Sequence, residues 1–167
     1  MHKIGGNLVQ HTLKIPKTRK EVKLWVHPEG LVIGSLFVRE QSENLADGEA
    51  EAPHEVMNQE SPFVVLYLNQ PSELRFYNRN SIIRVEYDND KTEPSAKDIV
   101  SCCLTLMDGS LIHGEIRESL HPDHSRLFDY LNQSKERFIR LYIEHNQICL
   151  VNKSYINHVT TEHLNNN

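Results

Sequence analysis

Four blocks of this sequence recur in the same order, and that duplication constrains the fold more than any single motif. Val22-Lys23-Leu24-Trp25-Val26 aligns with Cys102-Cys103-Leu104-Thr105-Leu106, and Leu31-Val32-Ile33-Gly34 with Leu111-Ile112-His113-Gly114. Phe63-Val64-Val65-Leu66-Tyr67 aligns with Phe138-Ile139-Arg140-Leu141-Tyr142. The last block runs from Leu74 to Val85 and aligns with Ile148 to Val159, including Asn78-Arg79 opposite Asn152-Lys153. A chain of 167 residues therefore divides into two copies, each of roughly 60–65 residues and marginal as an independent unit. Packing of copy on copy, or of chain on chain, is expected.

The second copy reads most clearly. In Cys102–Leu106, residues 102, 104 and 106 share one face and Cys103 and Thr105 the other, as in a half-buried strand. Asp108-Gly109 is a tight-turn signal, Leu111–Ile116 returns as a second strand, and Gly114 inside it suggests a bulge or bend. A short helix is expected over Arg126–Asn132, with Leu127, Phe128 and Leu131 on one face. Strands follow over Phe138–Ile143, Ile148–Val151 and Tyr155–Val159, so the order is β-β-α-β-β-β. The first copy repeats it with an acidic, Ala-, Gly- and Pro-containing loop over Ser42–Pro53 and a degraded helix near Glu55–Asn58. The divisions are a basic N-terminal arm (1–21), repeat 1 (22–88), a linker (89–100), repeat 2 (101–163) and a tail (164–167). Short, strongly bent strands in this number suit a small barrel better than a sandwich.

Leu-x-Asp-Gly-x-x-Ile-x-Gly-x-Ile, with Phe-Ile-x-Leu and Ile-x-Leu-Val-Asn-Lys-Ser-x-Ile-x-x-Val further on, resembles the Sm-like barrels, the bacterial RNA chaperone Hfq being nearest in flavour. The resemblance covers residues 22–38 with 62–87 and 102–117 with 138–160. Arg-Leu-x-Asp-x-Leu-Asn at Arg126–Asn132 is also similar to a motif in bacterial proteins of unassigned role. Sm-like proteins place their helix first, whereas here the best helix falls between the second and third strands. The resemblance implies a mainly β fold with short helices, two tandem Sm-like barrels packed as a pseudo-dimer. It also implies ligand or RNA contacts at the basic tight turns, which map onto Asn78, Arg79, Asn152 and Lys153. The same turn residues have a structural explanation, since Asn tolerates tight-turn geometry. Tyr67 and Tyr142 occupy equivalent strand positions and are expected to fill the contact between the copies.

Charge and composition narrow the function classes. The net charge is −5, and the positive residues at the start (Lys3, Lys14, Lys17, Arg19 and Lys20) precede a first copy rich in Glu. No long-range basic field gathers nucleic acid, so DNA is not expected. No apolar run is long enough to cross a membrane, and the unframed Cys102, Cys103 and Cys149 point to a reducing, cytoplasmic compartment. Vicinal Cys102 and Cys103 on a strand face opposite ways, so one is expected buried and the other exposed. His113 stands where the first copy has Ile33 and reads as packing or surface variation. His121-Pro122-Asp123-His124 is the one tight cluster of metal-ligand types, but it lies in a loop without a counterpart in the first copy, and no metal or cofactor is expected. No nucleophile elbow, phosphate loop or zinc-protease helix is present, so no enzyme is expected. The expectation is a binding or assembly module that works through strand edges on a protein partner or a second copy. RNA binding of the Hfq kind is the alternative, and a small-ligand or nucleotide sensor between the repeats a second alternative.

Overall fold

Apolar residues at every second position, with paired turns between them, build the strands. The structure, a computed structural model, describes residues 16–41, 49–91, 99–118 and 125–162. In the first half, β1 (Lys17–Val26), β2 (Gly30–Arg39), α1 (Pro53–Met57), β3 (Phe63–Asn69), β4 (Ser72–Asn78) and β5 (Ile82–Asp88) follow one another. The second half repeats the order as β6 (Val100–Leu106), β7 (Leu111–Ile116), α2 (Ser125–Gln133), β8 (Phe138–Ile143), β9 (Gln147–Asn152) and β10 (Ile156–Thr161). A single 3-10 turn, Arg79–Ser81 or Lys153–Tyr155, precedes the last strand of each half. Tyr155 thus belongs to a turn rather than to the strand expected from sequence. β1 begins at Lys17, so Lys17, Arg19 and Lys20 of the basic arm lie on a strand. Lys3, Lys14, most of the Ser42–Pro53 loop, the His121–His124 cluster and the 164–167 tail lie outside the described residues.

The protein is mainly β, and its strands form one antiparallel sheet of ten that does not close, ordered β10-β6-β7-β8-β9-β5-β1-β2-β3-β4. Each half contributes the same internal order, its last strand lying outside its first. The duplication reaches the individual pairs. Lys23 faces Ile33 as Cys103 faces His113, and Phe63 faces Asn78 as Phe138 faces Asn152. Register shifts also recur, between Trp25 and Val26 against β5 and between Ile156 and His158 against β6. The halves meet through β5 and β9, where Arg84 pairs with Val151 and Tyr87 with Ile148.

Two cores result. One gathers Val22, Leu24, Leu36, Met57, Leu66 and Val85 of the first half with Phe138, Tyr142, Ile148 and Leu150 of the second. The other is built from Cys102, Leu104, Ile116, Leu127, Ile139, Leu141, Cys149 and Val151. Consecutive residues on β8 and β9 therefore serve different cores, and both faces of this hairpin are buried. Helix α2 covers the second core with Leu127, Tyr130 and Leu131, spaced i, i+3, i+4. Phe128 is 69% exposed rather than on the buried face, because one residue of helix turns it about 100° away from Leu127. Helix α1 starts with Pro53 at its first position, and the Glu55 carboxylate accepts the Ala52 N–H at 2.7 Å.

Gly114 marks no bulge, for the β6–β7 register runs through it from Cys102 without a shift. Its reason is proximity. A Cβ there would lie 3.0 Å from the Tyr142 carbonyl oxygen, and on the equivalent Gly34 one would lie 2.7 Å from the Tyr67 oxygen and 2.9 Å from Leu66 Cγ. Backbone cannot retreat from these contacts without disturbing the β2–β3 and β7–β8 pairing. Gly34→Ala is expected to cost about 2–3 kcal/mol and Gly114→Ala less, read as shifts in urea-denaturation midpoint.

Candidate interaction surface at the repeat joint and the open edges

The equivalent turns Asn78-Arg79 and Asn152-Lys153 are built to hold the fold. Each Asn side chain accepts a backbone N–H two residues on, from Asn80 at 2.9 Å and from Ser154 at 3.0 Å, which nucleates the 3-10 turn. Arg79 is 1% exposed. Its guanidinium donates to the Ser61 carbonyl, to Ser61 Oγ at 2.9 Å, to the Phe63 carbonyl at 2.5 Å and to the Val56 carbonyl at 3.0 Å. Burial pulls its pKa down, with repulsion from Arg137 adding to the effect. Lys153 reaches back in the same sense and donates to the Ser134 carbonyl at 2.7 Å. In both repeats the basic side chain therefore ties the turn after the fourth strand to the chain around the end of the preceding helix, where carbonyls lack helical partners.

Asn152 does a second job. It is wholly buried, and its Nδ2 donates across the joint to the Ile82 carbonyl at 2.9 Å and the Arg79 carbonyl at 3.3 Å. On the far side, Asn58 clamps Phe138 twice: the Phe138 N–H donates to Asn58 Oδ1 at 2.8 Å, and Asn58 Nδ2 donates to the Phe138 carbonyl at 3.2 Å. Asn78 makes the turn bond but no cross-joint bond of this kind is found among the described residues, because its strand, β4, is an edge.

The face presented to the joint is apolar. Phe138, Tyr142, Ile148 and Leu150 are 0%, 6%, 4% and 0% exposed, all within the first repeat's core. Their counterparts by alignment are Phe63, Tyr67, Leu74 and Phe76 on β3 and β4. Among the described residues the two phenylalanines and the leucine lie open there: Phe63 and Leu74 are each 53% exposed and Phe76 is 68% exposed, while Tyr67 is half-buried. Tyr142 packs into the shared core with the Arg117 guanidinium 4.4 Å over its ring. Tyr67 lies away from the joint, on the strand beside the free β4 edge, with Arg19 4.5 Å over its ring and its hydroxyl 2.8 Å from Ser72 Oγ. The structure therefore brings Tyr142, but not Tyr67, to the contact between the repeats. At the other end of the sheet β10 is open, with Ile156 and Val159 only partly packed.

Sequence alone missed the joint-facing set as a set. The available signal was Ile148-Cys149-Leu150-Val151, an unbroken apolar run where repeat 1 has Leu74-Arg75-Phe76-Tyr77. An unbroken run marks a strand buried on both faces.

A cavity of about 350 Å³ spans the joint, walled by Lys20, Val38, His54 and Tyr87 from the first repeat and Arg140 and Ile148 from the second. Both of its lysines are ion-paired, Lys20 with Asp90 and Lys91 with Glu49.

The thiols differ sharply. Cys102 and Cys149 are fully buried, and burial pushes the Cys102 thiol up to about 12 and the Cys149 thiol higher still. Cys103, on the other face of the same strand, is half-buried. Ellman's reagent is expected to titrate one thiol in the native protein and all three after denaturation. Rapid modification of two or more in the native state would contradict this placement.

No family model matches the chain, and neither a curated protein nor a solved structure matches it. No helix among the described residues is long and apolar enough to cross a membrane.

Proposed function

We propose that this chain is an assembly module of two Sm-like repeats, and that copies join head to tail by pairing the β4 edge of one with the β10 edge of the next. One observation carries the reading: Phe63, Leu74 and Phe76, exposed on one edge beside a half-buried Tyr67 under Arg19, are the counterparts, position by position, of side chains buried in the joint between the repeats. Support for two Sm-like units comes from their common strand order and from the Asn-basic turn before each last strand. Transferring the β5–β9 register to the open edges sets Val159 opposite Phe76, Thr161 opposite Leu74 and His158 opposite Tyr77. Asn78 Nδ2 then meets the neighbour's Ile156 carbonyl, as Asn152 meets that of Ile82. Burying each large apolar side chain contributes roughly 1.5–3 kcal/mol, and the paired edges satisfy backbone groups that otherwise face water. A contact between unlike edges is heterologous and propagates until it closes.

The assembly reading is favoured over RNA contacts at the turns because Arg79 and Asn152 are buried and Lys153 is engaged with Ser134. The test is light scattering coupled to gel filtration, with native mass spectrometry, across a concentration series. The parent is expected at multiples of the chain mass, and Phe76→Lys and Val159→Lys are each expected to return it to monomer with an unchanged circular-dichroism spectrum. A parent that stays monomeric at about 100 μM, well above the affinity of a specific interface, overturns the proposal. So does an oligomer indifferent to both substitutions.

A further inference from the structure

The second repeat carries a side-chain cluster that the first lacks. Cys103 on β6 pairs across the sheet with His113 on β7 on one side and Thr160 on β10 on the other. Cys103 Sγ lies 3.8 Å from His113 Nε2, and His113 Nδ1 lies 2.5 Å from Glu162 Oε1, just past the end of β10. One ligand atom from each of the three falls within 4.8 Å of the others. The first repeat has Lys23, Ile33 and Asp88 at these positions, which supply no such set.

The geometry points to a binding site for a thiophilic divalent cation of the zinc class, held between Cys103 Sγ and His113 Nε2. A tetrahedral zinc ion with bonds of about 2.3 Å to sulfur and 2.0–2.1 Å to nitrogen holds its two ligands about 3.6 Å apart. The observed separation therefore needs only a few tenths of an ångström of adjustment. Glu162 supplies what such a histidine requires: its carboxylate accepts Nδ1–H, fixes the tautomer and turns the Nε2 lone pair toward the thiol. On binding, Cys103 gives its proton to solvent and the thiolate takes its place on the metal, so one proton is released per ion. Thiolate with imidazole selects zinc and its soft neighbours over magnesium or calcium, which seek oxygen. The His113 and Glu162 side chains are 63% and 44% exposed, so the ion has an open approach, and among the described residues no fourth metal-ligating side chain joins the cluster.

Cobalt(II) is the probe, because bonding to a thiolate gives a near-ultraviolet charge-transfer band that histidine and carboxylate do not produce. The full-length protein at neutral pH is expected to develop this band, to saturate at one equivalent and to lose it on addition of zinc. Cys103→Ser is expected to abolish the band, His113→Ala to weaken binding by at least tenfold, and Glu162→Gln to weaken it by about 10–100-fold. His113 and Glu162 are exposed and Cys103 is half-buried, so the circular-dichroism spectrum is expected to stay that of the parent. Absence of the band in the parent overturns the proposal. Persistence of the band in Cys103→Ser, or undiminished affinity in His113→Ala, does the same. The Phe76→Lys variant is expected to bind as the parent does, so the metal site and the assembly stand or fall separately.

Discussion

Arg79→Ala is expected to be among the most damaging single substitutions in this protein, lowering stability by about 4 kcal/mol. The side chain is almost wholly buried, and its removal strands the buried carbonyl of Val56 and takes the donor from the part-buried carbonyls of Ser61 and Phe63. Each buried acceptor left without a donor costs roughly 1–3 kcal/mol, and the volume of the lost side chain adds a cavity. Arg79→Lys is expected to recover only part of the loss, since one ammonium cannot serve carbonyls on both sides of a planar guanidinium. At the equivalent turn, Lys153→Ala removes one bond to Ser134 from a half-buried site and is expected to cost about 1 kcal/mol. Urea-denaturation midpoints of the three variants settle the order. An Arg79→Ala protein within about 1 kcal/mol of the parent contradicts the structural role of this arginine.

Leu150→Ala and Phe76→Ala, substitutions at aligned positions, are expected to diverge widely. Leu150 is fully buried in the first repeat's core, and truncating it is expected to cost about 2–5 kcal/mol in unfolding at any protein concentration. Phe76 occupies the same place on an edge strand at 68% exposure, and its truncation is expected to change the unfolding of the dilute monomer by less than about 0.5 kcal/mol. At high concentration Phe76→Ala is expected to weaken self-association, a loss that appears in mass distribution rather than in intrinsic stability. Equal costs for the two substitutions in the dilute protein would mean that Phe76 is covered within a single chain.

The duplication was legible because register is a repeated one-dimensional quantity. Lys23–Ile33 and Cys103–His113 are both ten residues apart around one turn, and matching apolar positions forces matching pairs. The Arg126–Asn132 helix and the turn at Asp108-Gly109 were legible for local reasons, apolar spacing in one and a glycine at φ +84° in the other. What remained hidden was non-local. An alternating strand reveals that one face is buried, but whether the other face is also covered depends on a partner that its own residues do not specify. Phe63 and Phe138 are the same residue at aligned positions, yet one is 53% exposed and the other 0%. Arg79 misled for a similar reason: a basic residue in a tight turn reads as solvated, and only the return of the chain through Val56 and Ser61 makes it a buried donor. The Cys103–His113–Glu162 cluster draws on three separate strand regions, and no sequence spacing announces it.

Because β5 and β9 belong to one polypeptide, repeats of this protein enter any larger structure in pairs. A closed ring of such chains has an even count of repeats, and its seams alternate between one that is permanently fused and one that can open. Rings of odd count, available to separate single repeats, are forbidden to it. The two halves are thereby released from being identical, since each needs to fit only its own kind of seam. A feature carried by the second half alone then recurs at every other position around the circle.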